Sequence, residues 1–83
     1  MSFSHDTIAE LDLLLIFDLK NSQAGIKLHK GAKPEAINAA RRLFEKGFIS
    51  QEDGGYLTNL GFVAAEHAQA LFTCLNAPAP GNN

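Results

Sequence analysis

The stretch "GFISQEDGGYLTNLG", residues 47–61, decides the fold. A glycine such as Gly47, at the end of a segment with helical spacing, is typical of a helix stop. Two apolar runs then flank Glu52-Asp53-Gly54-Gly55, a composition that predicts a tight turn between antiparallel strands. A following helix can be capped by Thr58 or Asn59. The predicted strands are very short, residues 48–51 and 56–58.

The first helix is predicted to begin at Thr7, where Glu10 stands three residues on as in a capping box, and to close at the turn residues Asn21-Ser22-Gln23. Seven of the nine residues from 11 to 19 are apolar, whereas a helix on one small core needs a single apolar stripe. Two interpretations stay open: a central helix wrapped by the others, or a helix that also forms a homodimer interface. The interface residues would be Leu13, Ile16 and Phe17, and a contribution of the third helix to the dimer stays open.

Two further helices are predicted. Between the first and second, residues 24–33 fit a short strand or one or two helical turns, and the alternation of apolar and polar residues favours a strand. The second helix starts at Pro34 and stops at Gly47. Its apolar face comprises Ala36, Ile37, Ala40, Leu43 and Phe44. The third runs from about Leu60 to Leu75, with a buried side of Leu60, Val63, Ala64, His67, Ala68, Leu71, Phe72 and Leu75.

A chain of 83 residues has room for one small core. We therefore expect one α+β domain over residues 1–75, with three main helices, a short hairpin and, in the strand interpretation of 24–33, a third strand. A disordered tail is expected over 76–83. No apolar run reaches the roughly 18 residues that span a bilayer, and the acidic N-terminus lacks a signal-peptide pattern. A soluble cytoplasmic protein with no membrane partner is the expectation.

The net charge of −2 hides an asymmetry along the chain. Residues 1–19 sum to −4 and residues 47–83 to −3, while residues 20–46 carry all seven basic residues and sum to +5. Local charge decides which partners a surface attracts. The middle segment is therefore the part of the chain that could face phosphate.

The second half of the chain resembles the second half of a winged-helix domain of bacterial repressors. The stretch that carries this resemblance is "AINAARRLFEKGFISQEDGGYLTNLGFVAAEHAQAL", residues 36–71. Those domains run from a recognition helix through Leu-x-x-Lys-Gly-Leu-Ile and a wing to Leu-Thr-x-x-Gly and a helix. The matching residues are Leu43, Glu45, Lys46, Gly47, Phe48, Ile49, Leu57, Thr58 and Gly61. Two departures are the small space before residue 34, which leaves room for only a stunted second helix, and a short, acidic wing.

More closely, the chain resembles a small bacterial family of proteins of unknown function, some of whose members are labelled as DNA-binding proteins or transcriptional regulators. The pieces that carry this resemblance are "GIKLH", "RRLFEKGFISQEDGGYLT" and "AAEHAQAL".

Two functions follow as hypotheses. The first is a winged-helix transcriptional regulator that binds duplex DNA weakly or without sequence preference. Binding would be weak because acidic residues lie near the basic ones and few residues could contact phosphate. Its nucleic-acid-binding residues would be Lys27, Lys30, Lys33, Asn38, Arg41, Arg42 and Lys46. The second is a homodimeric protein-interaction module that keeps the winged-helix shape without touching DNA.

Enzymatic chemistry is not indicated. His67 and Cys74, two helical turns apart, would lie roughly 10 Å from each other, too far for a nucleophile and its base. No H-x-x-x-H or C-x-x-C spacing predicts a metal site. We therefore expect no catalytic residue, metal, cofactor or small-molecule substrate.

Overall fold

Three helices and a three-stranded antiparallel sheet make up the computed structural model, which describes residues 1–21 and 23–80. The elements in chain order are α1 (His5–Leu14), β1 (Ile26–Lys27), α2 (Pro34–Glu45), β2 (Ile49–Gln51), β3 (Gly54–Leu57) and α3 (Asn59–Asn76). The strands lie in the order β1-β3-β2. The predicted α+β class is confirmed, and residues 24–33 supply the third strand.

α2 ends in a hydrogen-bonded turn that depends on Gly47. This glycine has a φ of 84°, in the left-handed region that residues with a side chain rarely adopt. The amide of Gly47 donates to the carbonyl of Phe44 at 3.0 Å, and the amide of Phe48 donates to the carbonyl of Leu43 at 2.9 Å. This is the Schellman arrangement of a helix end. Gly47 therefore stops α2, as predicted, and turns the chain into β2.

The first turn of α3 is tied to the residues that leave α2. The Thr58 hydroxyl accepts from the amide of Gly61 at 3.0 Å and donates to the carbonyl of Gly47 at 2.5 Å. The amide of Thr58 donates to the carbonyl of Phe48 at 3.1 Å. A Cβ on Gly61 would lie only 1.7 Å from that same Phe48 oxygen. In the Thr-x-x-Gly step, threonine thus caps the helix and glycine permits the close contact.

The hairpin differs in detail from the predicted one. Glu52 and Asp53 form the turn, while Gly54 and Gly55 belong to β3. β3 is the central strand and pairs with both β1 and β2. Its pairing with β2 contains a bulge, which increases the local twist of the hairpin. The glycines therefore serve the centre of the sheet and not the turn.

α1 begins earlier than predicted. The Ser4 hydroxyl accepts from the amide of Thr7 at 3.1 Å and caps the helix, so the first helical residue is His5 and not Thr7. The predicted capping box is wrong because Glu10 lies beyond the first turn and is buried, with 8% of its surface exposed.

The apolar run after residue 10 is not one continuous helix. α1 ends at Leu14, and the side chain of Gln69 donates to the carbonyls of Leu14 and Phe17 at 3.3 and 2.7 Å. The chain turns there. Leu13 within α1 and Phe17 in the turn both reach the core, with 2% and 3% of their surface exposed. This corrects the predicted dimer interface, because both residues are buried within the monomer. Of the three predicted residues only Ile16 is exposed, at 59%.

α2 starts at Pro34 as predicted, but its buried face is narrower than expected. The buried residues are Ala39, Ala40 and Leu43, whereas Phe44 is 37% exposed. Ala40 and Leu43 pack in the core with residues of α1, β2 and α3.

α3 was predicted to bury its large apolar residues, and that prediction is wrong. The helix packs through small residues, Gly61, Ala65 and Ala68. Of the eight residues predicted to be buried, Ala68 is buried and Ala64 is half-buried. The others are exposed: Leu60, Val63, His67, Leu71, Phe72 and Leu75. Beyond Gln69 every residue of the helix is exposed, because α3 continues past the end of the core.

Parts of two predicted segments cannot be compared. Ser22 of the predicted turn and residues 81–83 of the predicted tail lie outside the described residues. Asn76 is the last residue of α3 and residues 77–80 have no regular structure.

The contact between Gly61 and Phe48 predicts a large effect of adding one methyl group. We expect Gly61→Ala to lower the free energy of unfolding by about 3 kcal/mol, because a backbone carbonyl cannot move aside without shifting β2. Urea denaturation measures the change. Gly31→Ala is the matched control, since a Cβ there meets nothing within 4 Å. Equal stability of the two variants would contradict the tight junction.

Candidate nucleic-acid interface

The residues predicted to contact nucleic acid fall into two groups. Five are exposed and make no ion pair within the described residues. These are Lys27, Lys30, Lys33, Asn38 and Arg41. The other two, Arg42 and Lys46, both pair with an acidic residue of α1.

Three of the exposed cations line one open groove. Lys27 of β1, Lys30 of the following loop and Arg41 of α2 surround a space of about 550 Å³. Leu28 and Ile37 are also among its lining residues. The short loop between β1 and α2 thus brings cations that are distant in sequence to one concave surface.

The groove is not uniformly basic. Its lining also includes Glu52 and Asp53, the two residues of the hairpin turn. The amide of Leu28 donates to the carbonyl of Asp53 at 2.9 Å, which fixes the turn beside the loop after β1. Both carboxylates are exposed. In the structure they stand beside the cations and reduce the positive charge of the groove.

The charges of Arg42 and Lys46 are directed inward, to Glu10. Arg42 Nε donates to Glu10 Oε2 at 2.9 Å, and Lys46 Nζ donates to Glu10 Oε1. Arg42 also donates to the backbone carbonyl of Asp6 at 3.2 Å. Both carboxylate oxygens of Glu10 therefore have a cationic partner. These ion pairs hold α1 against the C-terminal half of α2.

The ionisation of Glu10 reflects this environment. Burial by itself raises the pKa of the Glu10 carboxyl, because it penalises the charged form. Hydrogen bonds from Lys46 and Arg42, together with their charges, outweigh burial and bring the pKa below its ordinary value. The carboxylate is therefore ionised at neutral pH and compensates charge from both cations.

This arrangement argues against Arg42 and Lys46 as phosphate contacts. Contact of Arg42 or Lys46 with phosphate would compete with the Glu10 ion pairs and expose a buried carboxylate that costs free energy to leave unpaired. Sequence reasoning missed Glu10 because its partners lie 32 and 36 positions away. The one available signal was an acidic residue directly before the apolar run.

Two further observations on residues 1–21 and 23–80 concern metal ions and membranes. No group of three or more histidine, cysteine or acidic side chains is arranged to hold a metal ion there. Within the same residues, no helix has the length and apolar character to cross a membrane. His67 and Cys74 are both exposed on α3.

Fold and site together define a small α+β protein with a mixed-charge, predominantly cationic groove between a helix and a hairpin. The chain belongs to a family of unknown function, DUF5669, whose model matches residues 1–76. Comparison with curated proteins gave no match, and comparison with solved structures gave none either.

The Glu10 ion pairs predict a pH-dependent contribution to stability. The folded-state pKa of Glu10 is lowered, so this contribution is present above the unfolded value of about 4.5 and is lost as pH falls through the folded pKa. We expect Glu10→Gln to cost about 2 kcal/mol at pH 7 and progressively less on acidification. Denaturation at a series of pH values tests this.

Glu66→Gln serves as the control, because Glu66 is exposed on α3 and makes no ion pair within the described residues. A cost of Glu10→Gln that stayed constant from neutral to strongly acidic pH would show that packing, and not charge, accounts for the role of Glu10.

Proposed function

We propose that this protein is a DNA-binding regulator of the winged-helix type, which contacts duplex DNA weakly through the groove and the exposed face of α2. The contact residues in this proposal are Lys27, Lys30, Lys33, Asn38 and Arg41. The observation that carries it is the convergence of Lys27, Lys30 and Arg41 on one open groove, outside the Glu10 ion pairs.

The order of the elements supports the winged-helix comparison. A winged-helix domain places its recognition helix directly before a hairpin wing, and α2 stands in that position before β2 and β3. The strand before the helix, β1, pairs with the second strand of the hairpin. The segment between β1 and α2 contains only a turn, so the first helix of a helix-turn-helix is missing. Any entry of α2 into a groove of DNA therefore depends on α2 alone.

The exposed face of α2 has chemistry suited to DNA. Asn38 and Arg41 are both exposed on it, and these residue types form paired hydrogen bonds to adenine and guanine edges in a major groove. Lys33 precedes the first turn, beside the helix N-terminus, which favours phosphate. Phosphate contacts would fix the position of the helix, and Asn38 is the side chain best suited to read a base.

Weak binding follows from the carboxylates in the same groove. Glu52 and Asp53 would meet phosphate with the wrong sign, and Glu35 lies in the first turn of α2. With about four exposed cations available, the expected affinity is that of non-specific contacts, with Kd roughly 10⁻⁴–10⁻⁶ M, falling steeply with salt.

A salt titration tests the cationic groove. We expect the protein to bind a random duplex at about 50 mM salt, and the triple variant Lys27→Gln, Lys30→Gln, Arg41→Gln to bind at least about tenfold more weakly. Its slope of log K against log salt should be smaller by about 2–3, since each lost phosphate contact removes about 0.9. Fluorescence anisotropy gives both quantities. Lys20→Gln, away from the groove lining, is the control; no binding by the unaltered protein would refute the proposal.

Removal of the two carboxylates should have the opposite effect. We expect the double variant Glu52→Gln, Asp53→Asn to bind the same duplex about tenfold more tightly at low salt, because two charges that oppose phosphate are gone. The gain should shrink at high salt. Glu66→Gln changes the net charge at a distant position of α3 and is the matched control. Unchanged binding by the double variant would mean that DNA does not enter this groove.

A homodimeric protein-interaction module is the second candidate function. It is favoured by the large apolar side chains that α3 leaves exposed, which include Leu71 at 41% and Leu75 at 75%. The acidic hairpin turn is equally compatible with it. The two functions are separable, because the cation variants test DNA contact and variants of α3 test self-association.

A further inference from the structure

We propose that the distal half of α3 pairs with a second copy of this chain, as an antiparallel two-fold contact in which each helix occupies its partner's groove between α1 and α3. This inference supplies a surface for the second candidate function and does not depend on DNA binding. It places the dimer contact on α3 and not on the apolar run that begins in α1.

The groove is an open apolar channel beside the core. It has a volume of about 320 Å³ and is lined mainly by apolar side chains of α1 and α3. These include Leu11, Leu14, Ala64, Ala68 and Leu71. The small side chains of Ala64 and Ala68 leave room above the helix backbone, and Leu71 carries the apolar surface onward to the end of α3 that projects from the core.

The projecting end of α3 is largely exposed in the monomer. All residues from Ala70 to Asn76 are exposed, so the last two helical turns or so are only partly covered by the rest of the chain. Leu71, Phe72 and Leu75 in this part are 41%, 52% and 75% exposed. Short helices gain their stability in proteins mainly from packing of an apolar face. A largely exposed apolar helix end would therefore be stabilised by contact with a second apolar surface.

Charge points to a second copy as that partner. Glu66 is the last charged side chain, and residues 67–83 contain no Asp, Glu, Lys or Arg. Two copies of this part of α3 meet without like-charge repulsion. The one carboxylate that lines the groove, Glu10, is already paired with Arg42 and Lys46. The chain also supplies both parts of the contact, since a groove lined by α3 lies next to an apolar projection of the same helix.

The sizes of the side chains fit an antiparallel arrangement. Ala64, Ala68, Leu71 and Leu75 follow helical spacing on one side of α3, with small residues in the first half and large ones in the second. Antiparallel pairing about a two-fold axis near residues 69–70 sets Leu75 of one copy against Ala64 of the other, and Leu71 against Ala68. The large side chains thus fill the grooves, and a two-fold contact closes without growing into fibres.

Self-association provides the first test. Light scattering coupled to size exclusion, at about 0.5 mM protein, should give twice the chain mass of 8.9 kDa. Leu71→Glu and Leu75→Glu should each weaken the dimer at least about tenfold, because a charge would be buried in the apolar groove. Both side chains are exposed in the monomer, so the core should remain folded, which near-ultraviolet circular dichroism checks.

Ile16→Glu is the matched control, since Ile16 is an apolar residue of similar exposure that lies outside α3, in the turn after α1. It should leave the dimer intact. Dissociation by Ile16→Glu with no effect of the α3 variants would overturn the inference, and so would a monomer at every concentration.

The distance between the two Cys74 residues of the dimer distinguishes antiparallel from parallel pairing of the helices. It is the only cysteine and is exposed on the projecting part of α3. Antiparallel pairing about residues 69–70 separates the two Cys74 Cα atoms by about 17 Å, from the helical rise and the usual distance between packed helices. A spin label on Cys74 should give a distance of this order once the linker is included. Ready formation of an intermolecular Cys74 disulfide at full dimer occupancy would contradict the arrangement, because a disulfide needs Cα atoms within about 7 Å.

Discussion

The contact between Gly61 and the carbonyl of Phe48 is the constraint on which the rest of this structure depends. It brings the first turn of α3 onto the start of β2, at a distance that any side chain on Gly61 would prevent. Thr58 closes the same junction by donating to Gly47 and accepting from Gly61. Once the junction is fixed, the direction of α3 follows, and so does the part of that helix that rests on the core.

A second constraint decides the electrostatics of the surface. Glu10 is buried between α1 and α2 and accepts hydrogen bonds from both Arg42 and Lys46. A buried ion pair contributes little net stability by itself, but it is costly to break from one side. Two of the six basic residues between 27 and 46 are therefore committed to holding helices together. The basic segment is less cationic towards a partner than its sequence indicates.

The local features of the fold could be predicted from the sequence, and the distant ones could not. Gly47 and the Thr58–Gly61 step act on their immediate neighbours, so their residue types are informative. The pairing of Glu10 joins residues more than 30 positions apart, and no pattern in one sequence specifies it. The buried side of α3 was misjudged for a related reason. Helical spacing identifies apolar residues that share a side, but the length of the core against which they could pack is a property of the whole fold.

The same dependence on the whole fold explains which of the predicted site residues the structure brings together and which it buries. Lys27, Lys30 and Arg41 were chosen by charge alone, and the fold brings them to one groove, which makes them a more coherent hypothesis than the seven residues together. Leu13 and Phe17 were chosen because the apolar run exceeds the single stripe that one small core can bury, whereas the structure buries both, Leu13 within α1 and Phe17 in the turn after it. Excess apolar surface is present in this chain, and α3 carries a large part of it.

The two proposed surfaces draw on different elements, and this has a consequence for affinity. The cationic groove is lined by β1, its loop, α2 and the hairpin turn, whereas the apolar groove is lined mainly by α1 and α3. Pairing through α3 would therefore leave Lys27, Lys30 and Arg41 uncovered. A single groove with three cations and two carboxylates binds phosphate weakly, but in a dimer the second contact becomes intramolecular. Its effective concentration then multiplies a weak affinity without any new contact, provided that both grooves can reach the same duplex.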